Sequence, residues 1–132
     1  MDIASWSPRM LSVLRIMTGL LWLEHGTQKF FAFPSPGPGL TPLLVVQGLL
    51  ELVGGVLIVI GLFTRPVAFI LAGDMAVAYF YAHAPRGFFP QVNMGQLAIL
   101  FCFVFLYLFV AGGGVWSVDQ QRSSTRAVLP AT

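Results

Sequence analysis

Four apolar stretches, each near the length that crosses a bilayer, make up most of this 132-residue chain. They run over about residues 10–31, 43–63, 67–82 and 93–110, with proline and glycine crowded between them. A hydrocarbon core about 30 Å thick needs roughly 20 apolar residues per helical span, so four spans leave almost nothing for a soluble domain. Composition agrees: 57% of residues are hydrophobic and 9% charged, with a mean hydropathy of +0.83. That is too little polar surface to coat a soluble globule of this size. The expected fold is all-α, one polytopic membrane domain built as an antiparallel four-transmembrane-helix bundle with the lipid bilayer as its solvent.

The breaks between spans are chemically explicit. Ser7 and Pro8 form a cap and first-turn proline for the first helix. Phe33-Pro-Ser-Pro-Gly-Pro-Gly39 cannot continue it. Thr64-Arg65-Pro66 reads as a tight turn, His83 to Pro90 as an interfacial loop, and Gly112-Gly-Gly114 as the stop of the fourth span. The Ser/Thr-rich segment 117–132 is expected to be a mobile tail. Arg15 and Glu24 inside the first stretch, with no small-residue cleavage site after it, argue for a retained helix over a signal peptide.

Arg9, Arg65, Arg122 and Arg126 fall on one side of this arrangement and Lys29 and Arg86 on the other, which predicts both termini in the cytoplasm. The basic residues are scattered, so no nucleic-acid partner is implied. Cys102 is the single cysteine, which excludes an intrachain disulfide, a CxxC pair and a cysteine-built metal site. Set among Phe101, Phe103 and Phe105, it reads as an inert packing residue.

Counting depth at 1.5 Å per residue puts Glu24 roughly 10 Å, and Glu51 and Asp74 roughly 12 Å, from the outer ends of their helices. Three acids from three helices thus share one level. His25, Gln28, Gln47, His83, Asn93 and Gln96 gather in the same outer half. A charge in lipid costs about 2.5 to 3.5 kcal/mol even on the lenient scale, so these groups should face one another. Gln28, Gln47, Asn93 and Gln96 suit interhelical hydrogen bonds; three carboxylates with few cations nearby suit a proton-handling or ligand-binding cavity. On the second helix Gly48, Glu51 and Gly55 form a stripe that lets another backbone approach. On the first, Arg15, Gly19, Trp22, Gly26 and Lys29 lie roughly opposite Glu24. Lys29 is placed to snorkel outward, and Arg15 needs an acceptor, either Asp119 or the carbonyls near Gly112 to Gly114. His25 and His83 could in principle flank a haem, but nothing else supports one. Glu24 and His25 are adjacent and diverge, against a di-metal site. No metal is expected, and a flat apolar ligand between the helices is the natural occupant.

Several short motifs in fixed order resemble the bacterial DoxX family. They are Arg15 with His25-Gly-Thr-Gln-Lys29, Glu51-Leu-Val-Gly-Gly55 with Gly61-Leu-Phe-Thr-Arg-Pro66, Met75-Ala-Val-Ala-Tyr79 leading to His83-Ala-Pro-Arg-Gly-Phe-Phe-Pro90, and Trp116-Ser-Val-Asp119. The resemblance implies a four-helix inner-membrane protein with relatives linked to redox work. One branch resembles the membrane subunit of a thiosulfate:quinone oxidoreductase, and another is associated with a membrane complex containing superoxide dismutase and a sulfurtransferase. This chain has Asn93-Met-Gly-Gln96 where the family commonly shows Asn-Gly-Gly-Glu, and Asp74 where it shows Glu.

The leading expectation is a membrane subunit of a redox or oxidative-stress system. It would bind a quinone-like or other lipid-soluble ligand through candidates Glu24, His25, Gln28, Glu51, Asp74, His83 and Gln96, with Arg15, Lys29 and Asn93 as structural polar groups. The second is a non-enzymatic scaffold that recruits soluble redox enzymes through Trp116 to Asp119 and the basic tail. A small transporter ranks last, because no inverted repeat is visible. Small-residue stripes also raise a homodimer.

Overall fold

Proline and capping residues set the helix starts in the computed structural model, which describes residues 1–128. A 3-10 turn, Ile3–Trp6, is held by Asp2, whose carboxylate accepts from the Ala4 N–H at 3.0 Å. Helix α1 follows over Ser7–Phe31, with Pro8 in its first turn, where the missing N–H has no intrahelical partner to lose. Helix α2 spans Pro42–Ile60; the Thr41 hydroxyl accepts from the Leu44 N–H at its start. At its end Gly61 takes a left-handed conformation and the Leu62 and Gly61 N–H groups donate back to Leu57 and Ile58, a Schellman motif. Helix α3, Thr64–Ala78, begins on the carboxylate of Asp119, which accepts from the Phe63 and Thr64 N–H groups at 2.8 and 2.9 Å. The short α4, Pro90–Asn93, leads into α5, Gln96–Ala111, and α6 covers Val118–Val128. No strand occurs among the described residues.

Three expected boundaries change. The third span does not end near residue 82. It continues as a π turn, Tyr79–His83, and a 3-10 turn, Ala84–Arg86, because the Ala84 N–H reaches back five residues to the Tyr79 carbonyl and the ladder no longer needs the N–H that Pro85 lacks. The fourth span is not one helix from residue 93. It breaks at Met94 and Gly95, where the Asn93 side chain accepts from the Gly95 N–H at 2.8 Å. Only glycine fits there, since a Cβ would sit 2.6 Å from the Tyr79 ring. The segment expected as a mobile tail is helical over Val118–Val128, started by Ser117, whose hydroxyl accepts from the Gln120 N–H at 3.1 Å. Residues 129–132 of that segment lie outside the described residues.

The long helices pack as two antiparallel pairs. Along α1 and α2, Gly19 meets Val59, Gly26 meets Leu52, and Gly48 meets Phe30, so these glycines let the two helices approach closely. Along α3 and α5, Phe69 meets Phe109 at one end and Tyr79 meets Gly95 at the other. The pairs join through Gly54 against Leu71 and through a core of Trp22, Ile58, Leu71, Phe101, Phe105 and Leu108. Outside this core the surface is apolar, with Val53, Leu100, Phe103 and Val110 all exposed. Two helices, Pro42–Ile60 and Thr64–Arg86, are long and apolar enough to cross a membrane. Helix α1 has the length but carries Arg15, Glu24 and Lys29, and α5 is apolar but 16 residues long.

Candidate functional site

Gly48 and Gly55 flank Glu51 on α2, and Gly26 lies one turn before Lys29 on α1. The close backbone approach they permit brings the two ionisable side chains together. Lys29 does not snorkel outward as expected. Its ammonium donates to both carboxylate oxygens of Glu51, at 2.8 and 2.7 Å, and the two side chains are only 11% and 4% exposed. Burying two opposite charges side by side avoids the cost of leaving either alone in a low dielectric.

This ion pair lines a cavity of about 570 Å³ between the two helix pairs. His25, Gln47, Asp74 and His83 supply its other polar groups, and Trp22, Leu50, Met75, Ala98 and Phe101 supply apolar wall. Trp22 packs edge-on against Phe101 and Phe105, both at 5.2 Å, which joins α1 to α5 beside the cavity. The Nδ1 of His83 lies 3.0 Å from the Asn93 carbonyl; a carbonyl only accepts, so Nδ1 carries the proton and Nε2 is left as an acceptor in the neutral ring. Two buried polar atoms of the lining have no hydrogen-bond partner: the indole Nε1 of Trp22 and Oδ2 of Asp74. Such orphaned buried groups are uncommon in folded proteins.

Of the seven site candidates, the fold gathers His25, Glu51, Asp74 and His83. It leaves out Glu24, which is exposed on the far side of α1, Gln96, which is exposed at the start of α5, and Gln28, which donates to the Ser35 hydroxyl at 3.0 Å. For Glu24 the reason is rotation about the α1 axis. The stripe Arg15, Gly19, Trp22, Gly26 and Lys29 is the packed face, and Glu24 lies opposite it. Sequence reasoning missed Lys29 and Trp22 as lining residues, although the glycines beside them signalled a buried face.

Asn93 is fully buried; its amide donates to the Gly87 carbonyl at 2.9 Å and the Tyr79 hydroxyl at 3.3 Å, fixing the break before α5. Arg15, equally buried, donates to the carbonyls of Gly113 at 2.7 Å and Ile58 at 2.6 Å, and to those of Val59 and Trp116. Its acceptors are thus loop and helix-end carbonyls, while Asp119 caps α3. Among the described residues no three His, Cys, Asp or Glu side chains converge as a metal site.

These features define a helical membrane protein with His25, Lys29, Gln47, Glu51, Asp74 and His83 gathered around one cavity between its helix pairs. The DoxX family profile matches residues 10–84, more than half of the chain, and the chain belongs to that family. It is 41% identical to an uncharacterized protein of Haemophilus influenzae, over 91% of this chain and 96% of that one. It is 26% identical to an uncharacterized membrane protein of Mycobacterium tuberculosis, over 88% of this chain and 83% of the relative. No solved structure matches it.

Proposed function

We propose that the chain is a membrane subunit of a redox system and holds a quinone-like, lipid-soluble ligand in the cavity beside Lys29 and Glu51. The observation that carries this reading is a buried ion pair in the wall of a mainly apolar cavity, with an unpartnered polar atom on each of two lining residues, Trp22 and Asp74. The Trp22 indole can only donate, so it calls for an acceptor such as a ring carbonyl. Asp74, His25 and His83 are groups that exchange protons, as interconversion of a quinone and its quinol requires. The volume suits one aromatic head group with the first part of a side chain.

In this reading α1, α2, α3 with its π extension, and α4–α5 form a four-span antiparallel bundle in the bacterial inner membrane. Arg9, Arg65, Arg122 and Arg126 lie on the cytoplasmic side with both termini. Solvent extraction and mass spectrometry of the purified protein test the ligand directly. We expect about one prenylquinone per chain and its loss in Glu51→Gln; a wild-type protein free of any such molecule, and unable to take one up, would refute the reading.

A second reading, recruitment of a soluble redox enzyme, is favoured by α6, which buries no residue and carries Arg122 and Arg126. Deleting the chain after Asp119 should then abolish co-purifying partners, while a ligand site would survive.

A further inference from the structure

We infer that the ligand is a long-chain amphiphile that enters from within the bilayer through the gap between α2 and α3, its head at Lys29 and Glu51 and its hydrocarbon chain left lying in the gap. This rests on the ligand-binding reading above and adds the route and the placement of head and tail.

The turn Gly61–Phe63 ties the two helices together at one end, and Gly54 lies against Leu71 near that end. Farther along, α2 and α3 no longer fill the space between them but form opposing walls of the cavity. Across from that space Trp22 and Phe101 pack edge-on and form part of the wall between α1 and α5. The exposed lining of the cavity lies on α2, on α3 with its π extension, and at Met94 and Leu97 at the start of α5.

Between α2 and α3 the exposed rim is made of Leu43 and Val46 on α2 and of Val77 and Tyr81 on α3 and its π extension. Val46 is 58% exposed and Val77 68%, and no charged group stands between them and the exposed apolar faces of the same helices. A gap of this kind in a bilayer is filled by hydrocarbon, because water has no polar partner there. A ligand chain replaces a lipid chain at little cost, so the gap admits a tailed molecule and offers a small water-soluble one nothing. The polar groups lie deeper, which orders the two parts of the ligand: head inward, tail toward lipid.

The test uses protein in lipid nanodiscs with Trp6→Phe and Trp116→Phe in place, so that Trp22 is the fluorophore. Two probes are titrated, the ubiquinone ring without a side chain and the same ring carrying a decyl chain, with concentrations expressed per lipid. The plug is Val46→Phe with Val77→Phe, and the control is Val53→Phe, equally exposed on α2 but away from the cavity. We expect the plug to weaken quenching by the decyl probe at least about tenfold and the bare ring by less than about twofold, with the control silent toward both. Equal effects on the two probes, or none, would overturn the lateral route while leaving the ligand site standing. Failure of both probes to quench Trp22 in the unplugged protein would overturn the ligand site and the route together.

Discussion

Lys29 reaches across from α1 to hold both carboxylate oxygens of Glu51, and the pair is almost wholly shielded from solvent. It joins the two most closely packed helices at the wall of the cavity, so its energetics and its proposed role in binding are linked.

Removing one partner of a buried ion pair strands the other charge, at a cost of about 3 to 5 kcal/mol, whereas replacing both with apolar groups is often neutral. Lys29→Met and Glu51→Leu should each lower the melting temperature in detergent, and the two together should recover most of the loss. A double-mutant cycle on thermal unfolding measures the coupling; additive effects would mean the pair does not form.

Arg15 ties the end of α2 to the loop before α6 through four backbone carbonyls. Lysine keeps the charge but not the planar fork, and hydrogen bonds to charged groups contribute about 1.5 to 3 kcal/mol each. Arg15→Lys should therefore melt earlier and should expose Gly112 to Gly114 to limited proteolysis. Wild-type cleavage rates in that variant would show that the loop does not depend on the guanidinium.

A Cβ at Gly26 would lie 2.9 Å from the backbone nitrogen of Leu52 and 2.8 Å from its Cγ, so α1 and α2 would have to separate. At Gly73 the same Cβ meets nothing within 4 Å. Gly26→Ala should destabilise by about 1 to 3 kcal/mol, while Gly73→Ala should be neutral or stabilise by up to about 1 kcal/mol through helix propensity. Thermal melts of the two variants make the comparison.

The helices and their approximate extents were legible because proline and glycine clusters punctuate the sequence, and depth was legible because residues can be counted along a helix. Rotation was not. Helix α1 carries polar groups on two faces, Glu24 and Gln28 on one and Arg15 and Lys29 on the other, and depth alone does not choose between them. The choice falls to Gly19 and Gly26, whose lack of side chains lets α2 approach; weighing them above the acids would have put Lys29 beside Glu51. Pro85 was read as part of a loop and Gly95 as the interior of the fourth span, yet the first follows a π turn that continues α3 and the second lies in a break held by Asn93. The helical tail had a local signal in Ser117 followed by Gln120, outweighed in sequence by its Ser/Thr content.

Photolabelling tests the central claim most directly. A quinone bearing a photoreactive azide on its ring, crosslinked in membranes and mapped by peptide mass spectrometry, should label the segments Trp22–Lys29 and Asp74–His83. An excess of unlabelled quinone should suppress that labelling, and Glu51→Gln should abolish it. Label spread over lipid-facing residues such as Val53 and Leu100, unchanged by competitor or by the substitution, would contradict a ligand site at the Lys29–Glu51 pair.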